Sequence, residues 1–175
     1  MKTELHYMTI LIDDAGYGDL LYGVVIGGYR PQTNEFFYDL IDVKYFQKPR
    51  FKKKTYLSEA RKIARRLVDR MELEDEEIIA LCRGDILDRA AEALSDIYGE
   101  DRIVRVQVQG RAQELIEAAY VDEIRNLGYE PIPERTEKWG KNFWHMFRWL
   151  KRNPDKLKYS KSGWPRLKRF KMFRG

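Results

Sequence analysis

Met8-Thr9-Ile10-Leu11-Ile12-Asp13-Asp14-Ala15-Gly16-Tyr17-Gly18 is the stretch on which the reading of the fold turns. Residues 8–12 form an unbroken apolar run, as a strand covered on both faces does, and such a strand belongs at the centre of its sheet. Two adjacent acids follow it directly. Residues 22–29 (YGVVIGGY) predict a second strand, Pro31-Gln32-Thr33-Asn34 a turn, and residues 35–46 (EFFYDLIDVKYF) a third strand. Three strands on short connections predict an antiparallel meander.

Further along, the hydrophobic period changes. Leu57, Ala60, Ala64, Leu67, Val68 and Met71 recur at helical spacing, which predicts an amphipathic helix over residues 57–71. A short apolar strand over residues 78–82 (IIALC) ends at Arg83-Gly84-Asp85. A second helix is expected over residues 86–98, stopped by Gly99. Residues 102–109 alternate, with Val104, Val106 and Val108 on one face, as an edge strand should. A third helix is expected over residues 111–127, ending at Gly128. The order β-β-β-α-β-α-β-α predicts an α/β protein with a mixed five-stranded sheet flanked by helices, its second half paired in parallel. Pro131-Ile132-Pro133 then makes a stiff connection, so the chain divides into a domain over residues 1–130 and an extension over residues 131–175.

Composition narrows the chemistry. At 175 residues the chain suits one domain with a real core. Cys82 is the only cysteine, so no intrachain disulfide or cysteine-based zinc cluster is expected. His6 and His145 are too few for a histidine-rich metal site. Any metal would rest mainly on carboxylates, which points to Mg²⁺ or Mn²⁺. No apolar run approaches the roughly 20 residues of a membrane span. Residues 1–5 carry no signal-peptide core, so the expectation is a cytoplasmic protein with no membrane partner. Charged residues make up 35% of the chain, a bias of heat-adapted proteins. The charge is also unevenly placed. Residues 136–175 hold 13 Lys and Arg against 2 acids, a net of +11, while the first 135 hold 20 basic and 26 acidic residues, a net of −6. An acidic body with a polyanion-binding arm is the expectation.

The motif Ile12-Asp13-Asp14-Ala15-Gly16-Tyr17-Gly18, followed by Leu20-Leu21-Tyr22-Gly23-Val24-Val25-Ile26, resembles the first-strand motif of type 2 ribonucleases H, Asp-Glu-Ala-Gly-Arg-Gly before a glycine- and valine-rich strand. Three antiparallel strands followed by α-β-α-β-α is also the order of the ribonuclease H fold. The chain more closely resembles an archaeal branch of that superfamily, related as well to Holliday-junction resolvases. About 20 residues carry the motif; the remainder matches in element order. The resemblance implies cleavage of phosphodiesters with two divalent ions about 4 Å apart. It implies ligands from the end of the first strand, the end of the fourth, and the start of the last helix.

Asp13 then matches the first metal-binding carboxylate, and Asp14 stands where the glutamate would be. Asp85 is the candidate after the fourth strand, and Glu114 or Glu117 the candidate on the last helix, with Glu114 preferred as the earlier. Glu59 and Asp122 are weaker additions. Asp13, Asp85 and Glu114 are the expected metal ligands. Gly16 and Gly18 match glycines that bring backbone close to a substrate strand. Tyr17 stands in place of an arginine that senses the 2′-hydroxyl, and the family's later lysine–aspartate signature does not follow Asp85. These departures leave both DNA and RNA open as substrate.

Each acid also has a structural reading. Asp13-Asp14 could be a turn closing the strand, and Asp85 could cap the helix from Ile86, with Asp88 three residues on. Glu114 and Glu117 could belong to a solvated helix face, and Glu59 to a favourable helix N-terminus.

All four tryptophans, Trp139, Trp144, Trp149 and Trp164, fall in the last 37 residues among Lys and Arg. Indole planes stack on bases and cations neutralise phosphates, so the mixture suits single strands or distorted duplexes. Tyr17, Lys52, Lys53, Lys54, Trp139, Trp164, Arg166, Lys168 and Arg169 are the expected nucleic-acid contacts, with the basic loop 48–54 extending the track. Phe143, Trp144, Phe147 and Leu150 predict one face of a docked helix over residues 142–151, and residues 156–174 are expected to stay basic and accessible. The expected function is a metal-dependent nuclease, with a non-catalytic nucleic-acid-binding protein of the same fold as the alternative.

Overall fold

A computed structural model describes residues 8–175; His6 and the polar residues 1–5 lie outside the described residues. The architecture is a mixed five-stranded sheet flanked by helices. Its strands are β1 (Thr9–Ala15), β2 (Val24–Arg30), β3 (Glu35–Ile41), β4 (Ile78–Cys82) and β5 (Ile103–Val106). They lie in the order β3-β2-β1-β4-β5, so the apolar β1 is central and β5 is an edge, as its sequence suggested. β1–β2 and β2–β3 pair antiparallel, β1–β4 and β4–β5 parallel.

Helices α1 (Thr55–Arg70) and α2 (Asp88–Tyr98) cover one face. Ile10 and Ile12 of β1 point into that layer and meet Ala60, Ile63, Ala64 and Leu67 of α1, all buried. The opposite face carries α3 (Arg111–Asn126) and α4 (Trp139–Arg152). Ala15, Val25, Ile116 and Tyr120 share that second core with Met146, Leu150 and Leu167, so residues 131–175 pack on the α3 face. At the base of the sheet, Arg30 grips Glu77 through paired bonds of 2.7 and 2.9 Å, tying β2 to the entry of β4. Among the described residues no helix is long and apolar enough to cross a membrane.

Several boundaries differ from expectation for local reasons. β1 runs on to Ala15, so Asp13 and Asp14 are strand residues, paired with Gly27 and Ile26, rather than a turn after it. β3 stops at Ile41 because Asp42 accepts from the Lys44 backbone N–H at 2.8 Å and opens a 3-10 turn that buries Phe46. Asp85 is not a capping side chain: it begins a 3-10 turn that precedes α2 and buries Ile86 and Leu87. β5 is shorter than its alternation, and its valine face grades from the exposed Val104 to the buried Val108.

The extension departs most. α4 is longer than expected and buries Asn142, Met146 and Leu150, while Trp144 remains 41% exposed. Phe143, Phe147 and Leu150 pack on the second core as their spacing predicts, and Asn142, which donates to the buried Asp19, extends the inward face on one side. Residues 156–174 are only partly accessible. Leu167, Ser160 and Lys161 are fully buried, and the backbone of Lys161 donates to Leu20 at 2.8 Å. Lys158, Arg166, Lys168, Arg169 and Lys171 remain exposed.

Candidate active site

The carboxyl end of the central strand β1 opens into a cleft of about 480 Å³. Asp14, Gly16, Tyr17, Gly18, Trp139 and Trp164 form part of its wall, together with Phe51 and the Glu117–Arg135 pair. Clefts at strand C-termini are where α/β sheets gather side chains from different elements, because the connecting loops diverge there.

Asp13 and Asp14 sit at the end of the central strand, with Cys82 beside them at the end of β4. Ligand atoms of these three residues lie within 4.8 Å of one another. Asp13 accepts the Asp14 backbone N–H at 2.8 Å, and the Cys82 sulfur lies 3.7 Å from Asp14 Oδ1. Burial raises the Asp13 carboxyl above its ordinary range, against the lowering effect of the thiol and the backbone N–H. Asp14 is pushed up to about 7, first by burial, then by the charge of Asp13, with a smaller contribution from Asp85. Burial and the same acids push the Cys82 thiol well above its usual range, so it stays protonated. Two adjacent, poorly solvated carboxylates that repel each other form a group that could hold a cation. Two of the three donors are carboxylate oxygens and the third is a protonated sulfur.

The other expected acids separate into two groups. Asp85 is exposed at the tip beyond β4, close enough to act electrostatically on Asp14 and Tyr17. Glu117 reaches the cleft wall. Glu114 does not: its side chain is 70% exposed and its partner is Arg111. Helix phase explains the difference. Ile116 and Tyr120 face the sheet, which turns Glu114 outward and leaves Glu117 on the flank. Glu59 pairs with Lys62 on α1, and Asp122 is exposed further along α3.

Glu117 is already engaged. Arg135, only 7% exposed, donates to both Glu117 and the buried Asp19, and its guanidinium lies 4.8 Å from the centre of the Tyr120 ring. Asn142 donates to the second oxygen of Asp19 at 3.0 Å, and the Tyr120 hydroxyl donates to the Leu21 carbonyl at 2.7 Å. This cluster ties the β1–β2 loop, α3 and the extension into one wall. Asp19, Arg135, Phe51 and Cys82 were not singled out from sequence. Asp19 had a faint signal, an acid directly before the apolar Leu20-Leu21; Arg135 had none.

The motif glycines are explained by the chain's own aromatics. Gly16 has φ of +89°, and a Cβ there would lie 2.3 Å from a Tyr120 ring carbon. At Gly18 a Cβ would lie 2.0 Å from the Trp139 ring. Tyr17 also packs inward, its hydroxyl 3.2 Å from that of Tyr56 and its ring against Phe46. Trp139 is 66% exposed, whereas Trp164 lies beneath Arg166, with 4.8 Å from guanidinium to ring centre. Lys52, Lys53 and Lys54 are exposed before α1, where Lys54 adopts φ of +53°. Lys52, Lys53 and Lys168 border a second cleft that also contains Phe51. No protein family matches the chain, and no curated protein is found to match it.

Proposed function

We propose that the chain is a metal-dependent nuclease of ribonuclease H-like architecture, hydrolysing phosphodiester bonds in DNA or RNA. One observation carries the reading: Asp13 and Asp14 stand together at the end of the central strand, and Asp14 lines a cleft that Trp139 and Trp164 also wall and that adjoins a lysine-edged cleft through Phe51. The strand order β3-β2-β1-β4-β5, with β2 and β3 antiparallel, supports the architecture.

In this reading Asp13 and Asp14 hold Mg²⁺ or Mn²⁺, with Asp85 completing the set from the tip beyond β4. Bound divalent ions would activate water and stabilise the leaving oxygen. Trp139 and Trp164 orient the strand through its bases, and Arg166, Lys168 and Arg169 hold its phosphates. Arg135 keeps Glu117 and Asp19 in place and prevents their charge from repelling the backbone.

A second reading has its own support. Cys82 stands beside Asp13, where a third carboxylate would strengthen cation binding, and Glu117 is committed to Arg135. Both features suit a binding protein that retains the architecture without the chemistry.

Cleavage of labelled single-stranded, duplex, hybrid and branched substrates separates the two. With Mg²⁺ or Mn²⁺ the wild type is expected to give products that disappear in EDTA and in Asp13→Asn, while Asp13→Asn still binds. Binding without products under every metal condition would favour the second reading; undiminished cleavage by Asp13→Asn would remove the site assignment.

A further inference from the structure

Three clefts share walls. Phe51 borders both the acidic cleft and a second cleft of about 490 Å³ edged by Lys48, Lys52, Lys53 and Lys168. On the other side, Gly18 and Trp139 border both the acidic cleft and a third of about 200 Å³ that ends at Trp144, Arg166 and Arg169. The three clefts therefore adjoin in sequence: four lysines, then Phe51 and the acids, then Trp139, then two arginines. Cations lie at both ends, and carboxylates only in the middle.

We propose that this track holds one unpaired polynucleotide strand, passing through so that chain continues on both sides of the acids. The proposal rests on the nucleic-acid reading above and specifies its substrate: an internal segment of a single strand, engaged away from its ends. Charge placement supports the geometry. A site that grips a terminus needs a closed wall on one side of the reacting bond; here each side opens onto cations that extend the phosphate path. The aromatics supply the strand preference. Trp139 is 66% exposed and Trp144 41% exposed, and an indole face of that kind is best covered by a base whose own face is free. In a continuous duplex the bases already cover one another. Exposed Arg166 also lies 4.8 Å from the Trp164 ring centre and 5.8 Å from that of Phe143, holding its cation over the aromatic floor.

The test compares a covalently closed single-stranded circle, the same sequence as a linear strand, and the linear strand annealed to its complement, each as DNA and as RNA. Binding is read by anisotropy and by tryptophan quenching with and without Mg²⁺, and cleavage by gel. The circle is expected to bind within about threefold of the linear strand, and the duplex at least roughly tenfold more weakly. Trp139→Ala should weaken single-strand binding by roughly five- to hundredfold and remove part of the quenching. Lys52→Glu with Lys53→Glu, and separately Arg166→Glu with Arg169→Glu, should each weaken it and lower its salt dependence. All these side chains are exposed, and circular dichroism checks that the variants fold.

A circle that is neither bound nor cut while the linear strand is would overturn the proposal and leave the nuclease reading standing. Equal affinity for duplex, with no effect of Trp139→Ala, would overturn it too, as would charge reversal that matters on one side only. Trp139-dependent binding of the circle without cleavage of any substrate would support the threaded strand and remove the nuclease reading. Failure to bind any polynucleotide would remove both.

Discussion

The sulfur of Cys82 lies 3.7 Å from Oδ1 of Asp14, across the parallel pair formed by β1 and β4. A thiol thus faces two carboxylates at the head of the central strand, and burial, reinforced by the acids, keeps it protonated. Because thiolate is the reactive form, alkylation of native Cys82 at about pH 8 should be at least roughly tenfold slower than that of free cysteine. Replacing Asp14 with Asn removes one repelling charge and should speed the reaction several-fold. Iodoacetamide kinetics followed by mass spectrometry decide this; identical rates in the two proteins would show that access alone protects the thiol.

Arg135 binds the body to the extension through Asp19 and Glu117. Arg135→Met leaves Asp19 buried with an unpaired charge, and removing one partner of such a pair costs about 3–5 kcal/mol. Asp19→Asn added to Arg135→Met should recover part of the loss. Urea unfolding of the single and double variants measures both. A loss below about 1 kcal/mol for Arg135→Met would mean that water replaces the guanidinium.

Lys161 donates its buried ammonium to the carbonyls of Tyr22 and Gly23, at 2.6 and 3.1 Å, with no carboxylate bonded to it among the described residues. Burial lowers it from 10.5 to about 7, with Asp19 opposing and Arg135 adding to the effect. Between these values the unfolded chain binds the proton and the native chain does not, so stability should rise with pH across that window. The slope is at most about 1.4 kcal/mol per pH unit. Asp14, raised from 3.8 to about 7, acts in the opposite sense and below that window, where native protein loses stability as pH rises. Chemical unfolding from about pH 7 to about pH 8, below the range in which the raised Cys82 thiol opposes the trend, therefore isolates the lysine. Lys161→Met should be less stable overall, since it strands the carbonyls, and should lose the rise; a rise that persists would assign it elsewhere.

Much of the sheet was legible because its signals are local. The apolar residues 8–12 announced a central strand, and the period change at Leu57 announced α1, whose buried face is the one the spacing indicated. The strand ends were less so, since a side-chain cap such as Asp42 can stop a strand that propensity would continue. In the site, Asp13 and Asp14 were visible as adjacent acids after an apolar run. Glu114 was preferred over Glu117 on chain position, whereas helix phase selects Glu117 for the cleft. Arg135 and Lys161 were invisible for a physical reason: a basic residue in a basic tail reads as solvated, and only the fold reveals that each is buried against a particular acid or carbonyl.

The central claim is that the paired acids of β1 hold a divalent cation, and equilibrium binding of Mn²⁺ tests it most directly. Titration calorimetry or Mn²⁺ paramagnetic resonance on the wild type, Asp13→Asn, Asp14→Asn and Glu114→Gln would read it without any substrate. Saturable binding is expected of the wild type and of Glu114→Gln, weakened at least roughly tenfold in Asp13→Asn and Asp14→Asn, as follows when a charged ligand to a hard cation is lost. Binding of equal strength in all four proteins, or none in the wild type, would contradict it.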